Sequence, residues 1–281
     1  MSSGYQTILL SAGFAGAVAI GVTVAIERWG GVVGGVIGTL PTTIVPATLG
    51  FFAEARDLDG FLRAVNTAPA AMLLNALFLL LWRVVPARLG RGSLGQRLAL
   101  MSAISLGAWG VAAAALVLVL RQLPRAALAM RIFGALTTGV IVVVGVAACW
   151  RVRPAPRGTR RVTVTTLILR AALAATSIGV ATAMARSGIE IAAGMASCFP
   201  AIFITAMIAL WLAQGEAVQA GAVGPMMLGS SAVAGYALLA SETLPRLGPA
   251  LGSLVAWLGA ALLFSLPARA WLLRRQARQA P

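Results

Sequence analysis

Two long apolar runs are each interrupted by a proline set among small polar side chains: GTLPTTIV at 38–45 and ASCFPAIF at 196–203. A proline inside a helix removes one N–H and frees a carbonyl a turn back. Grouped with the hydroxyls of Thr39, Thr42 and Thr43, or with Ser197, Cys198 and Thr205, such a break could hold a polar solute or an ion. Covalent chemistry has little to work with. The chain has no His, its two cysteines, Cys149 and Cys198, stand apart, and no phosphate-binding or nucleophile motif occurs. No catalytic residue, metal site or cofactor is expected, and an ATP-driven process would need another chain.

The elements that must carry these breaks follow from composition. Of 281 residues, 60% are hydrophobic and 10% charged, with a mean hydropathy of +0.93. A soluble domain carries about a quarter charged residues, so the expected solvent is a lipid bilayer. The apolar runs reach about 20 residues, enough for a helix to cross a hydrocarbon core of about 30 Å and too long for barrel strands. The fold class is therefore all-α, a polytopic transmembrane helical bundle. Nine spans are expected, at 5–27, 30–53, 62–83, 97–120, 127–150, 162–185, 188–213, 217–240 and 248–271. The N-terminal MSSGYQ lacks a basic n-region, so the first span should remain in the mature protein.

The net charge of +15 comes from arginine alone. Arginines crowd the segments after the third and fifth spans and the C-terminal tail, all on one face of an alternating topology. The positive-inside rule makes that face cytoplasmic. A multi-pass inner-membrane protein follows, with its N-terminus outside and its C-terminus inside, and no nucleic-acid partner. Trp29, Trp82, Trp150 and Trp271 fall at the same face, where an aromatic belt would sit.

The two halves repeat. Pro41 and Pro200 are 159 positions apart, and Pro69 and Pro225 are 156 apart. Spans one to four and six to nine read as a duplicated four-helix unit, 1–125 and 162–281, with 126–161 as a linking helix and loop. The odd linker inverts the second copy about an axis in the membrane plane, and places Pro41 and Pro200 near mid-membrane from opposite sides. Packing competes with binding as an account of some residues. Gly30, Gly34 and Gly38 form a small-xxx-small row of the kind that brings helices close. Asn66, Thr67 and Asn75 on the third span suit either a cavity wall or hydrogen bonds between helices.

The seven acids all map to span ends, whereas Arg170 falls about 9 residues, or ~13 Å, into the sixth span. So deep a guanidinium calls for backbone carbonyls, a water-filled cavity or an anionic ligand. Thr39, Pro41, Thr42, Thr43, Asn66, Arg170, Ser197 and Pro200 are the expected substrate-binding set.

The second break and the turn after it carry Ala193, Gly194, Phe199, Pro200, Gly215, Glu216 and Ala217, a pattern that resembles the small four-helix GlpM-type bacterial membrane proteins. The first half departs from it, with Leu40 before Pro41 and LDGFLRA at 58–64. The resemblance implies a four-helix unit and says little of a substrate. The layout is also similar, more distantly, to drug/metabolite transporters, which have ten spans with both termini inside. Two functions are expected from this reading: a secondary carrier of a small metabolite or ion, or an assembly factor within a membrane complex. The lipid bilayer is the expected partner, with a homodimer left open. Reporter fusions within 86–97 and 151–161 should read cytoplasmic, and a fusion at Arg91 that reads external would overturn the assigned topology.

Overall fold

The computed structural model describes residues 2–29, 40–90, 92–122, 127–150 and 163–279. The glycine row at 30–38, Thr39, Arg91, the 151–162 segment and the side chain of Trp29 lie outside the described residues. Among those described, every regular element is helical: α1 (Ser2–Trp29), α2 (Val45–Glu54), α3 (Leu58–Val84), α4 (Leu94–Leu120), α5 (Ala127–Ala148), α6 (Val164–Arg186), α7 (Glu190–Ser197), α8 (Ala201–Gln214), α9 (Glu216–Ala260) and α10 (Leu266–Gln279). Seven helical stretches are long and apolar enough to cross a membrane, the last of them running from Ala220 to Arg275.

That last stretch is not one rod. At 1.5 Å per residue its 56 residues would extend ~84 Å, far beyond a bilayer. Gly248 breaks it, with φ of 76° and ψ of 172°. This left-handed conformation suits a residue without Cβ. Pro249 then starts the next segment, where its missing N–H costs nothing. The chain doubles back, so that Gly252 lies against Thr243 and Leu244, Gly259 against Leu239, and Gly235 under the Phe264 ring. The expected boundary at 240 is therefore too early. Helix continues to the Gly248 turn, and Pro245 within it does not end it.

Local signals explain the other shifts. Asp57 accepts from Gly60 N and starts α3 four residues ahead of the expected span. A capping box between Ser93 and Gln96 starts α4 three residues ahead.

The central packing is α3 along α9 and α1 along α6, with α5 lying against both α3 and α9. Where small residues occur, backbones touch: Gly16 meets Ala171 and Ala175, and Gly145 meets the backbone of Leu228. Close approach of this kind is the main source of helix association in lipid, where burying apolar surface gains nothing.

Ion pairs join the ends of helices as the alternating topology requires. At one end Arg97 pairs with Glu216 at 2.7 Å and lies over the Trp211 ring, and Arg83 donates to Ala148 O. At the other end Arg186 approaches Glu54 at 3.7 Å, while Glu242 takes both Arg131 and Arg246. The aromatic belt holds only in part. Trp150 is 58% exposed with Arg275 stacked on it at 3.9 Å. Trp82, by contrast, is fully buried, donates to Ser105 Oγ and meets Trp211 edge-on. It is a core residue rather than an interfacial anchor, because α4 and α8 close over it.

A buried hydrogen-bonded chain ties α2 to both limbs of the α9 hairpin: Thr48 Oγ1 to Tyr236 OH at 2.9 Å, and Tyr236 OH to Ser253 Oγ at 2.8 Å. Replacing Tyr236 by Phe leaves two hydroxyls without this partner and should cost about 1–2 kcal/mol of stability. Thermal unfolding in detergent checks this; an unchanged midpoint would mean the chain contributes nothing.

Candidate functional site

The site grows from two backbone breaks. Pro41 centres a tight turn in which Thr42 N donates to Leu40 O at 2.9 Å, and Pro200 centres a turn in which Ala201 N donates to Phe199 O at 2.7 Å. Both are three-residue turns, and Pro200, at φ −74° and ψ 36°, lies near the inverse γ geometry that a fixed proline φ favours. The two bonds are separated by the same 159 positions as the prolines themselves. Beyond each turn a half-helix begins, α2 and α8, and neither has a side-chain cap at its N-terminus. The first turn of any α-helix leaves N–H groups without helical partners.

On the far side of the second break the chain is held by α3. Helix α7 ends at Ser197, leaving Cys198 O outside any helical ladder, and Asn75 Nδ2 donates to it at 2.8 Å. That bond requires α7 and α3 to lie very close. Gly194 makes this possible, since a Cβ there would collide with Ala64 O and with Thr67. Cys198 itself is a buried free thiol whose Sγ points toward Ala68 O.

A cavity of about 390 Å³ opens between these breaks. Thr42 and Thr43 line it from the first turn and Ser197 from beside the second, with Thr23, Asn75, Arg170, Ser177 and Ser230 as its other polar residues. Most of the remaining wall is apolar, including Val22, Met72, Ile178, Phe203 and Val233. Arg170 Nε donates to Thr205 Oγ1 at 3.1 Å and Nη1 reaches Thr23 Oγ1 at 3.5 Å. Each threonine hydroxyl meanwhile donates to its own helix, Thr23 to Ala19 O and Thr205 to Ala201 O. The guanidinium thus links α1, α6 and α8 at the cavity wall. It stands six residues from the start of α6 at Val164, shallower than expected because the helix begins later.

Of the expected set, Thr42, Thr43, Arg170 and Ser197 lie on one cavity. Pro41 and Pro200 are buried and shape the turns, while their neighbours Leu40, Thr42, Phe199 and Ala201 form the wall. Thr39 falls outside the described residues. Asn66 is not part of the wall: it donates to Leu62 O, and its Oδ1 faces the α5 backbone at Gly134. Thr67 likewise bonds back to Arg63 O. Neither a cavity wall nor a hydrogen bond between helices accounts for these two, which bond within α3, whereas Asn75, more than two turns further along α3, reaches the cavity. Asn75 was recognisable as a polar residue in an apolar run, but its partner is a backbone carbonyl that no side-chain pattern reveals. Thr23 and Thr205 were likewise visible only as hydroxyls.

Comparison with known protein families, with curated proteins and with solved structures finds no match for this chain. The site must be read from its own geometry.

Gly194→Ala should force α7 away from α3, break the Asn75 bond to Cys198 O and destabilise the protein by about 1–3 kcal/mol. Retention of the wild-type unfolding midpoint would show that the approach of these two helices is loose.

Proposed function

We propose that the protein is a secondary carrier that moves a small solute across the membrane by alternating access, using the cavity between the Pro41 and Pro200 breaks. The observation that carries this reading is the repeated turn: the same backbone bond, at the same spacing of 159, beside the same cavity. Paired broken helices in inverted repeats mark the binding sites of many carriers. Under this reading the chain has nine spans in two inverted four-helix units, with α5 linking them and contacting α3 and α9 alike.

The pairing of α1 with α6 supports the same axis. Gly16 and Ala175, 159 positions apart, lie so close that a Cβ added at Gly16 would be 3.6 Å from Ala175 Cβ. The same spacing relates Ser11 to Arg170 and Thr23 to Thr182. Thr23 and Arg170 touch beside the cavity; their counterparts Thr182 and Ser11 meet at Gly50, where an added Cβ would lie 2.6 and 2.8 Å from their hydroxyl oxygens. One pair thus borders the cavity, while its counterpart is packed against Gly50. A carrier caught with one gate open has this asymmetry, and exchange of the two arrangements between the repeats would reverse its access.

The GlpM-type likeness adds nothing to this proposal beyond a four-helix unit. An assembly factor would not need a polar-walled cavity, and that difference is what an experiment can use. Replacing Thr42 and Thr43 together by Val keeps their shape and removes both hydroxyls. In proteoliposomes the double variant should lose most counterflow of a transported solute while inserting normally. Unchanged counterflow would remove the shared site, and a wild-type protein that supports no flux of any solute would favour the assembly factor.

A further inference from the structure

Apolar and cationic groups meet at the C-terminal end of α5. Val142, Val143, Val146, Ala147 and Trp150 line a shallow groove there, and Val143 and Trp150 are well exposed on it. From Val142 to Trp150 the groove follows the helix for ~12 Å. Trp150 stands just past Leu128–Ala148, a stretch long and apolar enough to cross a membrane. In a bilayer the valines therefore face acyl chains, and the indole sits at the level of the headgroups.

The last apolar stretch of the chain ends at the same level. Its final residue, Arg275, lies 3.9 Å over the Trp150 ring and 5.4 Å from the Trp271 ring. Trp271, Arg274, Arg275 and Arg278 recur at intervals of three and four along α10 and so share one face. No acidic residue follows Glu242 in the chain. Arg274 and Arg278 are exposed and Arg275 is half-buried, and among the described residues none of the three is paired with a carboxylate. Stacking on an indole orients a guanidinium without neutralising it, because the ring has no net charge.

Hydrocarbon wall, indole and guanidinium thus follow one another along a single helix end. A free anion has no use for the groove, and an uncharged apolar molecule has none for the arginines. We propose that this surface holds an anionic phospholipid, with its phosphate on the arginines of α10 and one acyl chain in the α5 groove. A guanidinium meets phosphate oxygens through two parallel N–H bonds, and each arginine near the membrane surface adds to the attraction for an anionic lipid. A zwitterionic lipid has the same phosphate but also a cation, which the remaining arginines repel. The site is on the outside of the bundle and does not depend on the carrier reading.

The test uses the full-length protein in phosphatidylcholine liposomes that contain rising fractions of either phosphatidylglycerol or phosphatidylcholine brominated on its acyl chains. Bromine quenches the fluorescence of a tryptophan it approaches, and Trp150→Phe isolates the share that arises at this site. Quenching through Trp150 should show a preference of about tenfold for phosphatidylglycerol, and Arg275→Gln should lower that preference about fivefold, the effect expected of one arginine at a membrane surface. Arg246→Gln, at the far end of the bundle, should leave it unchanged. Unlabelled phosphatidylglycerol should relieve the quenching, whereas inorganic phosphate and glycerophosphoglycerol should not. Arg274→Gln replaces Arg275→Gln if that variant inserts poorly, and the comparison of the two lipids on the wild-type protein stands by itself. Equal quenching by both lipids would overturn the site. An equal loss of preference in Arg246→Gln would reduce it to the net charge of the protein, and relief by inorganic phosphate would make it a site for free anions. Relief on raising the protein-to-lipid ratio would assign the groove to a second copy of the chain instead.

Discussion

Backbone polar groups in a lipid bilayer have no water to turn to, so each one left out of a helix must find a partner within the protein. The two proline turns create such groups near the centre of the fold, and the surrounding structure is arranged around satisfying some of them and leaving others available. The carbonyl of Cys198 is answered by Asn75, and the position of Asn75 is set by the contact of Gly194 with Ala64. The starts of α2 and α8 receive no side-chain cap, and residues at both starts, Ile44 and Ala201 among them, line the cavity. Packing, polar satisfaction and the candidate site are therefore consequences of one constraint.

The division of labour among arginines follows the same logic. Arg97, Arg131 and Arg186 stand at helix ends beside carboxylates, where pairing with partly exposed acids fixes which ends lie together at modest electrostatic gain. Arg170 is placed differently, within α6, bonded to threonine hydroxyls whose protons are directed to their own helices. Those hydroxyls act purely as acceptors there.

Much of the fold was legible because hydropathy and spacing report directly on helices in membranes. The interruption of the seventh expected span at Pro200, the helix ends joined by ion pairs and the helical character of the bundle all follow from runs of apolar residues bounded by Pro, Gly and Arg. What was not legible depended on contacts between distant segments. Trp82 reads as an interfacial residue because its position along the chain is terminal, yet α4 and α8 cover it completely. Asn66 and Asn75 are the same residue type on one helix, nine positions apart, and nothing local distinguishes the one that bonds its own turn from the one that reaches across to α7. The Tyr236 chain joins residues 188 positions apart and was invisible for the same reason.

Under the proposed duplication the two halves are alike in their turns and unlike in the side chains around them. The turns at Pro41 and Pro200 share a backbone bond, yet at the same spacing Arg170 corresponds to Ser11, and at the 156 spacing of Pro69 and Pro225 Asn75 corresponds to Ser231. Symmetry is needed only by the parts that must exchange conformations, since each gate has to adopt what the other relinquishes. A ligand has no such symmetry, so a carrier built on a duplicated unit would keep its turns alike while the side chains around them diverge, as Thr42 and Thr43 do from Ala201 and Ile202 at the same spacing.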